Sequence, residues 1–466
     1  MSRHSFPSPR GTHADTSFLL CDVTDVLWYA ALLFMPVDGT VFGVQMPYWS
    51  PIAPALFLAY AVCNARLSLR VLRRFPILIA FIAFMLLFSA FDWLTVGVNA
   101  VYLIRTMLSV LFAVSTLISF TVAWSIKHLP MRNAVTVLIY AYGFAFLFGV
   151  FTWIIQPNHC DVAALRNPLM AMYLRPYYVV RPQFLFAEPS YIGMHLFGVL
   201  LPMYWISRDR RLSVLIGIFA AGSLVMGAGV RIVLDSAVAG MLCLISACPW
   251  RTIINNGMRN RRLFAGVIAA GVVTAAAAIA ILASQPRLQM LLSRGLFAGD
   301  TSMSARIFRS VAPLFAGIHD ITHLLFGFGA GNLAAAMERG YANTLAWYQS
   351  NGGMMTQEIR ELRTPLETVT NRAGNVFTMN LYTSFIAEFG LLLFVAAVVL
   401  FVRYITQHHA WNKTTICWLL LLAYLYAQFE AYAFYALPLF LWAISTHAVT
   451  IHHSGASNHT PTLGHF

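Results

Sequence analysis

Charge is what this chain has least of. Only 10% of its 466 residues are Asp, Glu, Lys or Arg, where a soluble globular protein carries roughly 25%. So few charges do not cover the surface of a water-soluble protein of this length, which excludes a soluble enzyme. Apolar residues make up 59%, which excludes disorder. Lysine is almost missing: Lys127 and Lys413 stand against 28 arginines. The six cysteines are Cys21, Cys63, Cys160, Cys243, Cys248 and Cys417. All but Cys160 fall in or beside apolar runs, so they make neither a disulfide framework nor a zinc spacing. There is no Walker lysine loop, so ATP is not the expected driver. No Asp-x-Asp lies in a polar region, which argues against a metal-dependent sugar-nucleotide transferase of the cytoplasmic kind. A nucleophile elbow and a His-Glu-x-x-His motif are missing as well. The first stretch, 1–17, is polar and lacks a signal-peptide pattern, so the first apolar run is expected to stay as a transmembrane helix.

What the sequence does have is a series of apolar runs. A bilayer core takes about 20 apolar residues per helix. Such runs fall at 18–35, 51–63, 76–94, 101–124, 135–155, 191–206, 212–229, 232–247, 264–283, 376–402, 416–429 and 432–448. They predict an all-α polytopic membrane protein of about eleven or twelve transmembrane helices, with 416–448 read either as one long tilted helix or as two short ones.

Positive charge alternates between the loops, as cytoplasmic retention of Lys and Arg requires. Arg3 and Arg10 precede the first run, and Arg66, Arg70, Arg73 and Arg74 follow the second. Lys127 and Arg132, then Arg208, Arg210 and Arg211, then Arg251, Arg259, Arg261 and Arg262 fill every second loop after that. These loops and the N-terminus are expected in the cytoplasm. The chain then divides into a cytoplasmic segment (1–17), N-terminal transmembrane helices (18–155), a first periplasmic loop (156–189) and central transmembrane helices (190–283). A large periplasmic loop (284–375), C-terminal transmembrane helices (376–449) and a polar tail (450–466) complete it.

The two long loops carry arginines that orientation does not demand, because long loops cross regardless of charge. Arg166, Arg175 and Arg181 lie in the first; Arg287, Arg294, Arg306, Arg309, Arg339, Arg360, Arg363 and Arg372 lie in the second. The second loop, at about ninety residues, is too long for a passive connector. Within it Ile307, Val311, Leu314 and Phe315 recur as on one helical face, so short amphipathic helices on the membrane surface are expected. Arg306 and Arg309, three apart, share a neighbouring face. Guanidinium groups suit phosphate, being planar, always charged and able to bind it through two parallel hydrogen bonds. The alternative for these arginines is solvation, or pairing with the loop's own acids.

The most informative segment is Arg181-Pro-Gln-Phe-Leu-Phe-Ala-Glu-Pro-Ser190, where the first long loop returns to the membrane. Pro189 suits the first turn of a helix. Glu188 reads either as a helix cap favoured by the dipole or as a general base at a membrane-edge cavity. Arg231 sits between two apolar runs. It reads as a snorkelling side chain, as a helical partner of Asp235 four residues on, or as a pyrophosphate clamp. His195 reads mainly as a satisfied buried histidine. Asp22, Asp25, Asp92, Arg105, Glu388 and Glu430 are the other ionisable residues in or near apolar runs.

The order of these features resembles the Wzy-type O-antigen polymerases and related oligosaccharide-repeat polymerases. The resemblance rests on Arg181–Ser190, on the Gly-rich Leu325-Phe-Gly-Phe-Gly-Ala-Gly-Asn332, and on Asn375-Val-Phe-Thr-Met-Asn-Leu-Tyr-Thr-Ser-Phe-Ile-Ala-Glu-Phe-Gly390, where the chain returns to the membrane. It covers about 181–403. It implies a GT-C-like helical scaffold in a bacterial inner membrane, with an active site facing the periplasm. The implied reaction is metal-independent, cofactor-free inverting glycosyl transfer between glycans carried on undecaprenyl pyrophosphate. A chain-length regulator is the implied protein partner, and no nucleic acid is. In that frame Glu188, Arg181 and Arg231 are the catalytic candidates. Arg306, Arg309, Arg287 and Arg175 are candidates for holding pyrophosphate, and Asn332 and Asn375 for orienting the loop. The related O-antigen ligases tend to carry His before the Asn of the last motif, where this chain has Gly374. A ligase, or a non-enzymatic flippase for lipid-linked oligosaccharides, stays open as an alternative.

Overall fold

A computed structural model describes residues 22–37, 51–173, 181–247, short stretches between 265 and 297, 301–362, 376–429 and 435–449. The segments 1–17 and 450–466, most of the expected span 264–283, and Arg175, Arg287, Asn375 and Glu430 lie outside the described residues. Among the described residues every regular element is helical and none is a strand. The protein is an all-α membrane protein.

Helices α1 (Asp25–Phe34), α2 (Ile52–Cys63) and α3 (Ala65–Leu72) come first. Then follow α4 (Pro76–Val96), α5 (Ala100–Phe120), α6 (Met131–Ile154) and α7 (Ala163–Ala171). Helix α8 (Ile192–His195) runs through a π-helical turn, Leu196–Leu200, into α9 (Leu201–Ser207). Helices α10 (Arg210–Val225) and α11 (Val230–Ala247) complete the first half. The second half holds α12 (Thr301–His319), α13 (Ile321–Phe326), α14 (Leu333–Ser350) and α15 (Gln357–Glu361), then α16 (Leu381–Gln407), α17 (Lys413–Tyr426) and α18 (Ala436–Ser445).

Local sequence explains many of these boundaries. Pro76 opens α4, where its missing N–H has no helical partner to lose. Asn99, Asp209, Asn380 and Asn412 precede α5, α10, α16 and α17, and each accepts a hydrogen bond from a free backbone N–H of the first turn.

Among the described residues, five helices are long and apolar enough to cross a membrane: Pro76–Val96, Ala100–Ile126, Met131–Ile154, Val230–Ala247 and Leu381–Gln407. A sixth is reached if α2 and α3, bent by 96° at Asn64, are taken as one span. The sequence pattern predicted about eleven or twelve spans on apolar length. One predicted span, 264–283, lies mostly outside the described residues, and others are shorter elements. Within the run 18–35 the described helix is Asp25–Phe34, the run 191–206 is broken by its π turn, and the described part of 416–448 holds two short helices, α17 and α18.

The main core is aromatic. Trp28 of α1 meets Phe57 of α2, Phe120 of α5 and Trp124 at ring distances of 5.6, 5.7 and 5.1 Å. Trp124 continues to Trp442 of α18 at 4.5 Å. Such offset and edge-on pairs each add about 0.5–1.5 kcal/mol beyond the area they bury.

The segment 301–362 corrects the expectation of short surface helices. Two of its helices are long, α12 with 19 residues and α14 with 18. They share a small core of Ala305, Phe308, Ala312, Met337, Tyr341, Tyr348 and Ile359. The buried stripe of α12 is therefore 305, 308, 312 and 316; the predicted one, Ile307, Val311, Leu314 and Phe315, is only partly covered. Alanine on the inner face lets α14 approach closely, and that gain in packing outweighs the hydrophobicity of the larger residues beside it.

The Gly-rich turn docks on a break in α16. Phe328 and Gly329 donate their N–H groups to the Ala387 and Glu388 carbonyls at 2.9 Å each, and Gly331 N donates to Glu388 Oε1 at 3.2 Å. Thr106 of α5 donates to the same carboxylate at 3.1 Å. Helix α16 kinks at Gly390, whose φ is +81°. A Cβ there would fall 2.2 Å from the Leu325 carbonyl oxygen. Both the left-handed backbone and the space thus demand glycine. Gly390→Ala is expected to lower the thermal midpoint clearly, since strained backbone alone costs about 1–3 kcal/mol. Leu392→Ala on the exposed face is the control, expected within about 0.5 kcal/mol of wild type. Thermal unfolding of the detergent-purified protein compares the two.

Candidate functional site

Four of the residues singled out in the sequence come together in one region. Glu188 ends the loop that leads into α8. Its backbone is extended, with φ −154°, and a single 3₁₀ turn, Pro189–Tyr191, follows it. Glu188 stands at the N-cap of that turn, and its side chain makes no capping hydrogen bond. The carboxylate is buried, and its Oε1 lies 3.9 Å from Arg306 Nη2 on α12. That separation is a Coulomb contact rather than a hydrogen bond, and it leaves both groups with hydrogen-bonding capacity.

The loop carrying Glu188 is anchored from within. Phe184 and Phe186 are fully buried. Phe186 stacks on His195 at 4.4 Å, and His195 Nδ1 shares a 2.9 Å hydrogen bond with the Tyr142 hydroxyl of α6. His195 is thus the satisfied buried histidine expected of it, and it fixes the floor beneath the loop. Gln183 Nε2 closes the turn on the Ala187 carbonyl at 2.6 Å.

Arg231 stands in the first turn of α11, where unpaired N–H groups add partial positive charge. Its Nε donates to Gln428 Oε1 and its Nη2 to the Gln428 carbonyl, both at 2.8 Å. The guanidinium lies 4.0 Å over the Phe429 ring, and Phe429 packs on Tyr191 at 5.1 Å. The expected helical pairing with Asp235 is not a direct ion pair: Asp235 Oδ1 accepts from Tyr424 and Gln428 instead. Arg306, Asp235 and Glu188 all stand near enough to Arg231 to act on its charge. Arg181 reaches the same region, its Nη1 lying 3.9 Å from where a side chain on Gly229 would begin.

Several buried polar atoms of this region lack partners. Glu188 Oε1, Ser190 Oγ, Arg231 Nη1, Asp235 Oδ2 and Ser236 Oγ have no hydrogen bond among the described residues. All five come from two short stretches, 188–190 and 231–236. An unpaired buried polar atom costs about 1–3 kcal/mol, so such a group is completed by water or by a polar ligand.

Other sequence candidates lie elsewhere. Arg309 follows Arg306 by less than a turn, yet its head goes to a different place. It is buried, sits 4.2 Å over Phe377, and holds Nε 3.9 Å from Glu358 Oε2. Asn332 ties the Gly-rich turn to its surroundings, donating to the Gly97 and Phe328 carbonyls at 2.9 and 2.7 Å. Among the described residues, no three of His, Cys, Asp and Glu gather as metal ligands would.

Gln428, Phe429, Tyr191 and Tyr424 escaped the sequence reading. One signal was available for the first: Gln428 is the sole amide side chain between 413 and 449. An amide at the end of so apolar a stretch needs a polar partner.

No protein-family model matches the chain, and no curated protein matches it either.

Proposed function

We propose that this protein is a polymerase of a bacterial inner membrane. It joins oligosaccharide repeat units carried on undecaprenyl pyrophosphate into O-antigen or a similar surface polysaccharide, by inverting, metal-independent glycosyl transfer at the periplasmic face of a GT-C-like scaffold. The observation that carries the reading is the gathering of Arg231 and Arg306 with the buried Glu188, with Arg181 beside Gly229 just ahead of Arg231. In the proposed reaction an acceptor hydroxyl attacks the anomeric carbon of the donor glycan, and the bond from that carbon to the pyrophosphate oxygen breaks. Glu188 takes the hydroxyl proton. The leaving pyrophosphate gains negative charge, and fixed guanidinium groups in a low-dielectric site stabilise it without reorganising. Arg231 Nη1 and the Arg306 head are the donors left available for it.

Deleting the gene tests this reading. Electrophoresis of surface glycan is expected to show single repeat units in place of a ladder. Normal long polymer in the deletion strain would overturn it. Polymer that accumulates on its lipid carrier would point to a ligase.

A further inference from the structure

We infer that Gln428 is a positioning residue that aims Arg231 into the site, and that Asp235 and Tyr424 set Gln428 in turn. The inference rests on the reading of Arg231 as a contact for the diphosphate. Gln428 lies in the turn just past α17, so its carbonyl oxygen has no helical N–H to accept. It accepts Arg231 Nη2 at 2.8 Å, while the side-chain oxygen of the same residue accepts Nε at 2.8 Å. One residue thereby holds two of the three guanidinium nitrogens, and Phe429 supports the flat face at 4.0 Å. Nη1 alone is left without a partner among the described residues.

An arginine on a flexible stem gives up rotamer freedom whenever it binds an anion. Here the cost is met in the resting protein. The amide of Gln428 is oriented by Asp235, whose Oδ1 accepts from Gln428 Nε2 at 3.4 Å and from the Tyr424 hydroxyl at 2.8 Å. With its nitrogen directed to Asp235, the amide presents its oxygen to Arg231. Asp235 is itself seated against α8: a Cβ on Gly193 would fall 2.0 Å from Asp235 Oδ2. Helix α8 thus packs on Asp235 of α11, which with the end of α17 sets the residue that holds the guanidinium. This arrangement brings two uncharged residues of the C-terminal part of the chain, Gln428 and Phe429, onto Arg231.

Titrating the full-length protein in nanodiscs with inorganic pyrophosphate tests the inference. Gln428→Leu removes a side-chain hydrogen bond to a charged group and is expected to weaken binding about ten- to hundredfold. Arg231→Lys is expected to do the same. If Gln428 acts through Arg231, the double variant binds no more than about threefold worse than Arg231→Lys alone, the non-additivity of coupled groups. Asp235→Leu should weaken binding about tenfold, whereas Asp235→Asn, which still accepts both hydrogen bonds, should restore most of it. Gly193→Ala displaces the carboxylate and should resemble Asp235→Leu. Circular dichroism and gel filtration confirm that each variant is folded, and the Asn variant carries the test if the Leu variant is not. Unchanged affinity in Gln428→Leu, additive losses in the double variant, or no binding by the wild type would overturn the inference. Binding that ignores both Arg231 and Gln428 overturns it while the deletion phenotype still decides the polymerase reading.

Discussion

Glu188→Gln is expected to stop chain growth while leaving the protein folded and its pyrophosphate binding largely intact. Glutamine keeps the size and the polar oxygen of the side chain but cannot take a proton. Loss of a positioned general base costs about 10²–10⁴-fold in rate. In a growing strain that loss reads as single repeat units in place of a ladder. The substitution also removes the negative charge 3.9 Å from Arg306. Arg306 should then attract an anion at least as strongly as before, so binding and turnover are expected to move in opposite directions. A variant that polymerises at the wild-type rate would remove Glu188 from the chemistry. One that loses both binding and fold would make it a structural residue.

The second large effect is expected at Arg306. Removing a single preorganised donor to a developing negative charge costs about 10²–10³-fold in rate. Arg306→Ala should reach that range and also strand Glu188 in a buried position without its cation. Arg306→Lys should recover part of the loss, since it keeps the charge but not the planar fork. Arg309→Ala provides the contrast. Its guanidinium is spent on Phe377 and Glu358, so its removal should lower folded yield more than specific activity. In vitro rates per folded molecule, with yield measured separately, distinguish the two arginines. Equal loss of specific activity in both variants would contradict the separate placement of the two heads.

The sequence made the class of the protein legible because membrane burial is a matter of composition. Apolar runs, scarce charge and alternating basic loops need no tertiary detail. Helix starts were legible too where Pro76 supplied the signal. What the pattern missed depends on packing. In α12, helical periodicity favoured Ile307, Val311, Leu314 and Phe315, while close approach of α14 selected the alanine stripe. Hydrophobicity ranks residues by transfer from water, and it is blind to how near two backbones come. The π turn at Leu196–Leu200 and the bend at Asn64 left no mark in apolar length.

The site was half legible. Glu188 and Arg231 stood out because a charge next to apolar runs is costly and therefore conspicuous, and Arg181 and Arg306 because orientation does not demand arginines in the long loops. Their convergence was not readable, since α8, α11 and α12 are far apart in sequence. Neither was the division of labour between Arg306 and Arg309, which helical spacing alone places side by side. Gln428 and Phe429 were hidden for the opposite reason: both are uncharged, and nothing local shows that they hold a guanidinium. The Gly-rich turn and the segment around Glu388 drew notice as motifs, and they turn out to touch each other. Glu388 accepts from the turn's Gly331 N–H and from Thr106, which ties the turn, α5 and α16 together.

The central claim is that a diphosphate-bearing lipid is held by these arginines while sugars are joined. Reconstitution of the purified protein with lipid-pyrophosphate-linked repeat units measures it most directly. Chains of increasing length should form, with one undecaprenyl pyrophosphate released per new glycosidic bond, and Arg231→Lys and Arg306→Ala should suppress both. Repeat units that cross the bilayer and stay unjoined, with no lipid pyrophosphate released, would contradict the account.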